Sequence, residues 1–245
     1  MNFELLKDKI CNFMQNKVSN SNAKGVVFGL SGGIDSAVVA TLCVDIFKEK
    51  TLALIMPTDN SNKENIKDAL ELCDKLSLSY KIISIQSILD AFLSKCHDID
   101  RIRRGNICAR IRMNLLYDFS ALKNYLVVGT SNKSELMLGY GTIYGDLAYA
   151  FNPIGELYKS DIFDFARFLN VPQVFIDKIP SADLYEGQSD EAELGFKYID
   201  IDKVLKALEN QKEFMIKDIK LLNMIKQRIK KNEFKKHMPD IFRDI

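Results

Sequence analysis

A loop rich in glycine and serine, between an apolar run and a helix-like stretch, carries the residues best suited to chemistry. Its glycines let successive backbone amides approach a phosphate group, and the N-terminus of the following helix adds positive potential. Its serines supply hydroxyl donors. The pattern predicts a phosphate-binding loop formed by Gly29, Leu30, Ser31, Gly32, Gly33, Ile34, Asp35 and Ser36.

Asp35 indicates what else binds in this loop, which matches neither the Walker A sequence nor the Gly-x-Gly-x-x-Gly dinucleotide pattern. A carboxylate repels phosphates unless a divalent cation bridges them, so Asp35 predicts Mg²⁺. A second polar loop, Gly129–Glu135, follows a later apolar run. We expect Thr130 to contact the nucleotide and Glu135 to share Mg²⁺ with Asp35. The alternative is that Glu135 only completes a capping box at the start of the next helix.

The elements that hold these loops are predicted from hydrophobic patterning. Near-continuous apolar runs, typical of parallel strands covered on both faces, occur at Gly25–Leu30, Thr51–Met56, Ile82–Ile85 and Tyr125–Gly129. Helical spacing occurs at Phe3–Val18, Ala37–Phe47, Lys63–Leu76, Ile88–Cys96, Asn106–Leu122, Ser160–Leu169, Ile201–Leu208 and Lys217–Lys231. This order predicts an α/β fold with right-handed crossovers, in which a doubly wound parallel sheet with flanking helices precedes a helical C-terminal part. We expect residues 1–245 to form one domain.

The composition argues against some classes of binding partner. A net charge of +1 gives no electrostatic reason to expect nucleic acid. The five cysteines have no Cys-x-x-Cys spacing, which fits a reducing compartment, and no apolar run is long enough to span a bilayer. We therefore expect a cytoplasmic protein without a membrane partner. The basic run from Lys226 to Lys236 is typical of a solvated helix face, with phosphate binding as the alternative.

Further motifs indicate a family. The Ser31–Ser36 loop resembles the pyrophosphate loop of ATP pyrophosphatases. Five more blocks, in order along the chain, resemble the ammonia-dependent NAD synthetases among them: Gly105–Met113, Gly129–Glu135, Gly139–Asp146, Asn152–Ser160 and Pro180–Leu184. Gly187–Glu191 and Leu194–Gly195 continue the resemblance after the fifth block. The resemblance runs from about Gly29 to Pro239. It implies an adenine nucleotide hydrolase-like fold and a ligase that adenylates deamido-NAD with ATP and then amidates it with ammonia.

The resemblance also implies roles for individual residues. ATP would contact the Ser31–Ser36 loop, Thr130, Lys159 and Ser181, with Mg²⁺ on Asp35 and Glu135. Deamido-NAD would contact Arg110, Asp146, Lys235 and Lys236, and Asp35, Lys159 and Asp146 would be catalytic, with Asp183 as an alternative base or ammonium ligand. The chain departs from the family pattern at Ile143 and Ala150, where many members have Lys and Asp, and at Phe234.

Three further expectations concern partners and dynamics. Only 24 residues precede the first predicted strand, so we expect ammonia rather than glutamine as the nitrogen donor. The helices at Phe3–Val18 and Asn106–Leu122 offer apolar surface for a homodimer. Ser181–Glu191 is predicted to be a mobile lid, with an ordinary surface loop as the alternative.

Two other classes of protein could carry the same first loop. One is another ATP pyrophosphatase, GMP synthetase-like or tRNA-modifying, and the other is a non-catalytic adenine-nucleotide-binding module.

Overall fold

Four parallel strands form the sheet of the computed structural model, which describes residues 1–179, 181, 189–239 and 241–242. The strands are β1 (Gly25–Gly29), β2 (Thr51–Ile55), β3 (Ser79–Ile82) and β4 (Tyr125–Val127), in the spatial order β3-β2-β1-β4. In register, Val26 lies opposite Thr51 on β2 and opposite Leu126 on β4. Because β2 and β4 flank β1 on opposite sides, the winding direction reverses between β1 and β4, where open parallel sheets bind ligands.

Helices surround the sheet and continue beyond it. They are α1 (Phe3–Asn20), α2 (Ile34–Phe47), α3 (Lys63–Leu76), α4 (Gln86–Leu93), α5 (Arg101–Lys123), α6 (Lys133–Leu138), α7 (Lys159–Phe168), α8 (Gln173–Asp177), α9 (Asp190–Leu194), α10 (Tyr198–Glu209) and α11 (Ile219–Asn232). A 3₁₀ turn at Glu233–Lys236 follows α11. Within the described residues, no helix is both long and apolar enough to cross a membrane.

Helices cover both faces of the sheet, and β1 shows how. Successive side chains of a strand point to opposite faces. Val26 and Phe28 pack in a core with residues of α1, α2, α3 and α7, whereas Val27 packs with residues of α4 and α5. The predicted doubly wound α/β fold is therefore confirmed.

A separate apolar cluster forms the helical C-terminal part. Leu138 of α6, Ile201 and Leu205 of α10, and Leu222 and Ile225 of α11 are buried together. Helix α10 also packs against α7, which in turn packs against α2. The C-terminal helices are thus joined to the sheet through α7, whose first residue is Lys159.

The predicted strand at Ile82–Ile85 is wrong, because the observed β3 lies three residues earlier. β3 is an exposed edge strand, so it lacks the apolar run of a covered strand. The backbone of the apolar residues after β3 still bonds to β2 and to the segment that follows β2. The N–H groups of Ile83 and Ile85 donate to the carbonyls of Ile55 and Pro57, both at 2.9 Å. Ile85 is fully buried against α4 and α5, which explains the apolar run.

Helix α5 also differs from its prediction, beginning at Arg101 rather than Asn106. Asp100 is its N-cap residue, and its side chain accepts a hydrogen bond from the Arg103 N–H at 2.7 Å. An aspartate before the helix was a usable sequence signal for this earlier start. The other predicted elements overlap the observed ones, with ends displaced by at most three residues.

Candidate active site

A cavity of about 670 Å³ lies beyond the carboxyl ends of β1 and β4. Predicted site residues on its lining are Gly29, Leu30, Ser31, Gly33, Asp35, Ser36, Thr130, Glu135, Asp146, Lys159, Ser181 and Lys235. Gly32, Ile34, Arg110 and Lys236 do not line it. Asp183 and most of the predicted lid lie outside the described residues. A second cavity, of about 640 Å³, is lined by residues such as Lys24 and Lys50 and holds none of the predicted site residues.

The loop after β1 is shaped by its own hydroxyls and by one glycine. The Ser36 hydroxyl donates to the Gly33 carbonyl at 2.9 Å, and the Gly33 N–H donates to the Ser31 hydroxyl at 3.3 Å. Gly32 has φ +83°, and a Cβ there would lie 2.2 Å from the carbonyl oxygen of Asn65. A side chain is therefore excluded at Gly32 by both conformation and contact.

Helix α2 starts directly from this loop. Gly33 is the N-cap residue and provides no side-chain cap, so the N–H groups of the first turn are not capped by it. The Ile34 side chain is buried in the core under α2, which anchors the helix start and leaves Ile34 only its backbone to offer a ligand. The amino end of α2 has the geometry that favours an anion.

An ionic cluster lies beside the loop. The Lys159 ammonium contacts Asp35 Oδ2 and lies 4.0 Å from Glu135 Oε1. Asn132 Nδ2 donates to Asp35 Oδ1 at 3.1 Å. Lys159 also lies over the ring of Tyr198, 5.6 Å from its centroid. The three charged residues come from α2, α6 and α7, so the fold brings together side chains that are up to 124 positions apart.

Burial controls the charge of this cluster. Burial, together with the nearby Asp35 carboxylate, raises the pKa of Glu135 well above its usual range. Burial lowers the pKa of Lys159, but Asp35 and Glu135 outweigh it, so the net shift is upward. The ammonium therefore stays charged, while Glu135 holds a proton more readily than an exposed glutamate.

The capping box weighed as an alternative for Glu135 is present. Asn132 Oδ1 accepts from the Glu135 N–H at 3.0 Å, and the Asn132 N–H donates to Glu135 Oε2 at 3.2 Å. Glu135 nevertheless lines the cavity and faces Lys159. One residue thus serves both purposes: the box fixes α6 and also aims the carboxylate.

The two arginines of the Gly105–Met113 motif face different ways. Arg112 lines the cavity, and its Nε donates to the Met56 carbonyl at 3.0 Å. Arg110 is exposed outside the cavity, and its Nη2 reaches the Ile143 carbonyl at 3.4 Å. The structure therefore places the predicted acceptor residue Arg110 next to the 142–146 loop, not on the cavity wall.

Asp146 and Lys235 lie on another part of the cavity. Asp146 Oδ1 accepts from the Thr142 N–H at 2.6 Å. The Lys235 ammonium donates to the carbonyls of Gly139 and Gly141, both at 2.8 Å. Burial lowers the pKa of Lys235, and the nearby positive charges also lower it, with Asp146 opposing them. Lys236, one residue on, pairs with Glu233 at the surface.

Sequence reasoning included Arg228 and Lys231 only in the basic run with phosphate binding as an alternative, and it gave Asn232 and Tyr140 no role in the site. Arg228, Lys231 and Asn232 of α11 line the cavity with Tyr140 and Asp190. The guanidinium of Arg228 lies 5.9 Å from the centroid of the Tyr140 ring. Spacing was the usable signal, because positions 228, 231 and 235 fall on one helical face, whereas Lys226 pairs with Glu213 elsewhere.

Residues 6–239 match the NAD synthase family. The chain belongs to this family. The NH(3)-dependent NAD(+) synthetase of Campylobacter jejuni subsp. doylei is 59% identical over 243 residues, which cover 98% of this chain and 99% of that protein. The family resemblance read from the motifs is therefore confirmed.

Two solved structures match nearly the whole chain. The NH3-dependent NAD synthetase from Campylobacter jejuni subsp. jejuni, in complex with nitrate, matches with TM-score 0.89 and 54% identity, covering 99% of this chain and all of that one. The NMN synthetase from Francisella tularensis matches with TM-score 0.91 and 36% identity, covering 98% of each chain.

Proposed function

We propose that the chain is an ammonia-dependent NAD synthetase, a ligase that converts deamido-NAD, ATP and ammonia to NAD, AMP and pyrophosphate. The observation that carries the proposal is the Asp35, Glu135 and Lys159 cluster beside a phosphate-type loop, on a cavity whose other wall is basic. The high identity with ammonia-dependent relatives supports it.

The chemistry has two steps. A carboxylate is a poor electrophile, so the nicotinate carboxylate of deamido-NAD attacks the α-phosphorus of ATP and pyrophosphate leaves. Ammonia then attacks the acyl-adenylate carbonyl, and the bond to AMP breaks. The site must therefore stabilise negative charge on phosphates first and accept a proton from the attacking nitrogen later.

The chain's residues divide between these tasks. The Ser31–Ser36 loop at the amino end of α2 binds the departing pyrophosphate, and Lys159 offsets charge that builds on the phosphates. Thr130 and Ser181 contact ATP. The fixed loop, with Ser36 bonded to Gly33, means that the cradle needs little rearrangement when ATP binds.

Asp35 and Glu135 are the residues that would hold Mg²⁺. Within the described part of the chain, no three Asp, Glu, His or Cys side chains form a group that could hold a metal alone. Two carboxylates at a phosphate loop fit Mg²⁺, which is commonly bound by one or two carboxylates together with substrate phosphates. The raised pKa of Glu135 is consistent with a cation site, because burial and Asp35 disfavour its ionised form and a bound cation would stabilise that form. When bound, the ion neutralises phosphate charge.

The acceptor side supplies the remaining roles. Lys235 on the cavity wall binds deamido-NAD through its phosphates, and Asp146 binds ammonium or takes its proton. Lys236 and Arg110, outside the cavity lining, contact the part of deamido-NAD that extends beyond the cavity. Arg110 lies outside the cavity lining, which is the position expected if a second copy of the chain completes the acceptor site. We propose a homodimer that works in the cytoplasm, with residues 1–245 as one domain.

Helix α5 is the better candidate of the two helices predicted for the dimer interface. Phe3 of α1 stacks on Phe165 of α7, with ring centroids 5.7 Å apart, so much of the apolar face of α1 packs on its own chain. Helix α1 still exposes Leu5 and Phe13, but α5 exposes three large apolar side chains: Ile102, Tyr117 and Leu122. Exposed apolar side chains along one helix favour an interface there.

The test is product analysis with purified protein, ATP and Mg²⁺. With deamido-NAD and ammonium we expect NAD, AMP and pyrophosphate in equal amounts. Glutamine, with free ammonia scavenged, should give no NAD. ATP hydrolysis without NAD, or NAD from glutamine at a comparable rate, would contradict the proposal.

A second candidate function follows from the likeness to the NMN synthetase. The corresponding mononucleotide acceptor would give NMN through the same two steps. Running both acceptors in parallel separates the two functions, because a higher kcat/KM for the mononucleotide would reassign the substrate while leaving the adenylation chemistry intact.

A further inference from the structure

A buried carboxylate outside the cavity is bonded to the start of α7. Asp202 of α10 is only 1% exposed and does not line the cavity. Its Oδ2 accepts a hydrogen bond from the Ser160 N–H at 2.8 Å, and its Oδ1 accepts one from the Ser134 hydroxyl at 2.5 Å. One carboxylate of the C-terminal helices therefore contacts both α6 and α7.

Ser134 extends this contact to Lys159. The Ser134 hydroxyl oxygen accepts a hydrogen bond from the Lys159 N–H at 2.9 Å. Asp202 and Ser134 thus receive the N–H groups of two consecutive residues in the first turn of α7. These groups have no partner within the helix, and the N-cap residue Tyr158 provides no side-chain cap.

The same bonds determine where Lys159 stands relative to its carboxylates. Ser134 directly precedes Glu135 in the first turn of α6, and Lys159 is the first residue of α7. By joining these two helix starts, the network fixes the separation between the Lys159 backbone and Glu135. The side chain of Lys159 then reaches Asp35 in the first turn of α2.

Stability alone does not explain a carboxylate at this place. Burying a charge is unfavourable unless hydrogen bonds compensate it, and a neutral N-cap side chain at position 158 could accept the Ser160 N–H without any buried charge. We infer that Asp202 is a positioning residue that holds the Lys159 ammonium against Asp35 and Glu135 through Ser134 and the first turn of α7. The inference rests on the proposed function, in which Lys159 binds the phosphates of ATP.

The test compares Asp202→Asn with wild type. Asparagine has one carbonyl oxygen where aspartate has two, so it can accept from the Ser160 N–H or from the Ser134 hydroxyl but not from both, and the link between α6 and α7 is weakened. We expect kcat/KM for ATP to fall about 10- to 100-fold, the size expected when a binding group is misplaced by about 1 Å, with an unchanged KM for ammonium. Asp200→Asn is the matched control, because Asp200 lies on the same helix but pairs with Lys203 at the surface.

A double-mutant cycle separates positioning from a general structural role. The dissociation constant of ATP is measured by calorimetry for wild type, Asp202→Asn, Lys159→Met and the double variant. If Asp202 acts through Lys159, Asp202→Asn weakens ATP binding in wild type and changes nothing in the Lys159→Met background. An equal loss in both backgrounds, or no loss in a folded Asp202→Asn protein, overturns the inference.

Two provisions keep the test decisive. If Asp202→Asn does not fold, Ser134→Ala is put through the same cycle and judged by the same criterion, since it removes the acceptor of the Lys159 N–H. If wild type makes no NAD, the proposed function fails. The calorimetric cycle still decides the role of Asp202, because it needs neither acceptor nor ammonia.

Discussion

Lys159 and Lys235 both line the cavity, and they contact opposite ends of the same short helix, α6. Lys159 lies near Glu135 in the first turn, whereas Lys235 donates to the carbonyl of Gly139 directly after the helix. The pKa of Lys159 is raised, because Asp35 and Glu135 outweigh its burial. The pKa of Lys235 is lowered, chiefly by burial. The charge of Lys159 is partly balanced by two carboxylates, whereas Lys235 meets carbonyl dipoles and leaves more of its charge for a ligand.

The comparison extends to the two sides of the cavity. The nucleotide side, formed by the Ser31–Ser36 loop with Glu135 and Lys159, is held by bonds within the chain. The proposed acceptor side, formed by the 139–146 loop and Lys235 with Arg110 beside the loop, has two positive side chains and the single carboxylate of Asp146. Both sides are held by hydrogen bonds within the chain, and the proposed acceptor side leaves more positive charge for a ligand to balance.

The largest expected effect is the loss of a carboxylate on the nucleotide side. Asp35→Asn and Glu135→Gln should each lower kcat by about 10²- to 10³-fold, as removal of one preorganised electrostatic group does. Each should also raise the Mg²⁺ concentration needed for half-maximal rate. Titrating Mg²⁺ against initial rate measures both effects.

Asp45→Asn is the matched control for these carboxylates, because Asp45 lies on α2 with Asp35 but pairs with Lys7 at the surface. It should behave as wild type. Wild-type activity of both test variants at ordinary Mg²⁺ would remove Asp35 and Glu135 from the metal site and leave the ionic cluster with a structural role.

The next effect concerns the loop backbone, where two adjacent glycines differ. Gly32→Ala places a Cβ 2.2 Å from the Asn65 carbonyl at φ +83°, and the left-handed conformation alone costs roughly 1–2 kcal/mol. Gly33→Ala meets only the Ser31 hydroxyl, at 3.4 Å. We expect Gly32→Ala to lower both Tm and ATP affinity, and Gly33→Ala to leave Tm near that of wild type. Thermal unfolding with and without ATP checks this, and equal Tm values for the two variants would count against a preorganised loop.

The nucleotide side was largely predictable from sequence, for a physical reason. Six consecutive residues form the loop, so their spacing is fixed by the chain itself. The strand before the loop and the helix after it were also predicted, since local hydrophobic periodicity encodes both. The capping box of Asn132 and Glu135 was likewise a local pattern, and the structure contains it.

The acceptor side was less predictable, because its residues meet only through tertiary packing. Tyr140 and Arg228 lie 88 positions apart, yet the Arg228 guanidinium lies 5.9 Å from the centroid of the Tyr140 ring. Which of Arg110 and Arg112 faces the cavity depends on how α5 is rotated against the sheet, which periodicity did not resolve. The β3 error has a similar cause, since an edge strand is not covered on both faces.

The two arginines of α5 test whether the cavity has separate nucleotide and acceptor sides. Arg110→Ala should raise KM for deamido-NAD about tenfold, the loss expected for one charged hydrogen bond, with little change in KM for ATP. Arg112→Ala should act mainly on KM for ATP, because Arg112 bonds the Met56 carbonyl, whose residue lies beside Gly29. Steady-state kinetics with each substrate varied in turn distinguishes the two.

Sedimentation of the same variants measures their oligomeric state and tests whether the acceptor site depends on a dimer. If Arg110 serves a site completed by a second copy, substitutions in α5 that produce monomers should raise the same KM as Arg110→Ala. A fully active monomer, or an Arg110→Ala variant that weakens ATP alone, would show that the acceptor site lies elsewhere.

The smallest effect is a pH dependence that follows from the two lysines. Because the pKa of Lys235 is lowered and that of Lys159 is raised, Lys235 loses its proton first as pH rises. KM for deamido-NAD should therefore rise a few-fold toward alkaline pH, within the range of one weakened polar contact, while KM for ATP stays level. Lys235→Arg should abolish the rise, since arginine stays charged, and Lys226→Arg, at a surface pair with Glu213, should not. Initial rates at saturating ammonia across the pH series measure both constants. A parallel rise of the two KM values, or a rise that survives in Lys235→Arg, would mean that the two sides of the cavity do not differ in the charge they offer a ligand.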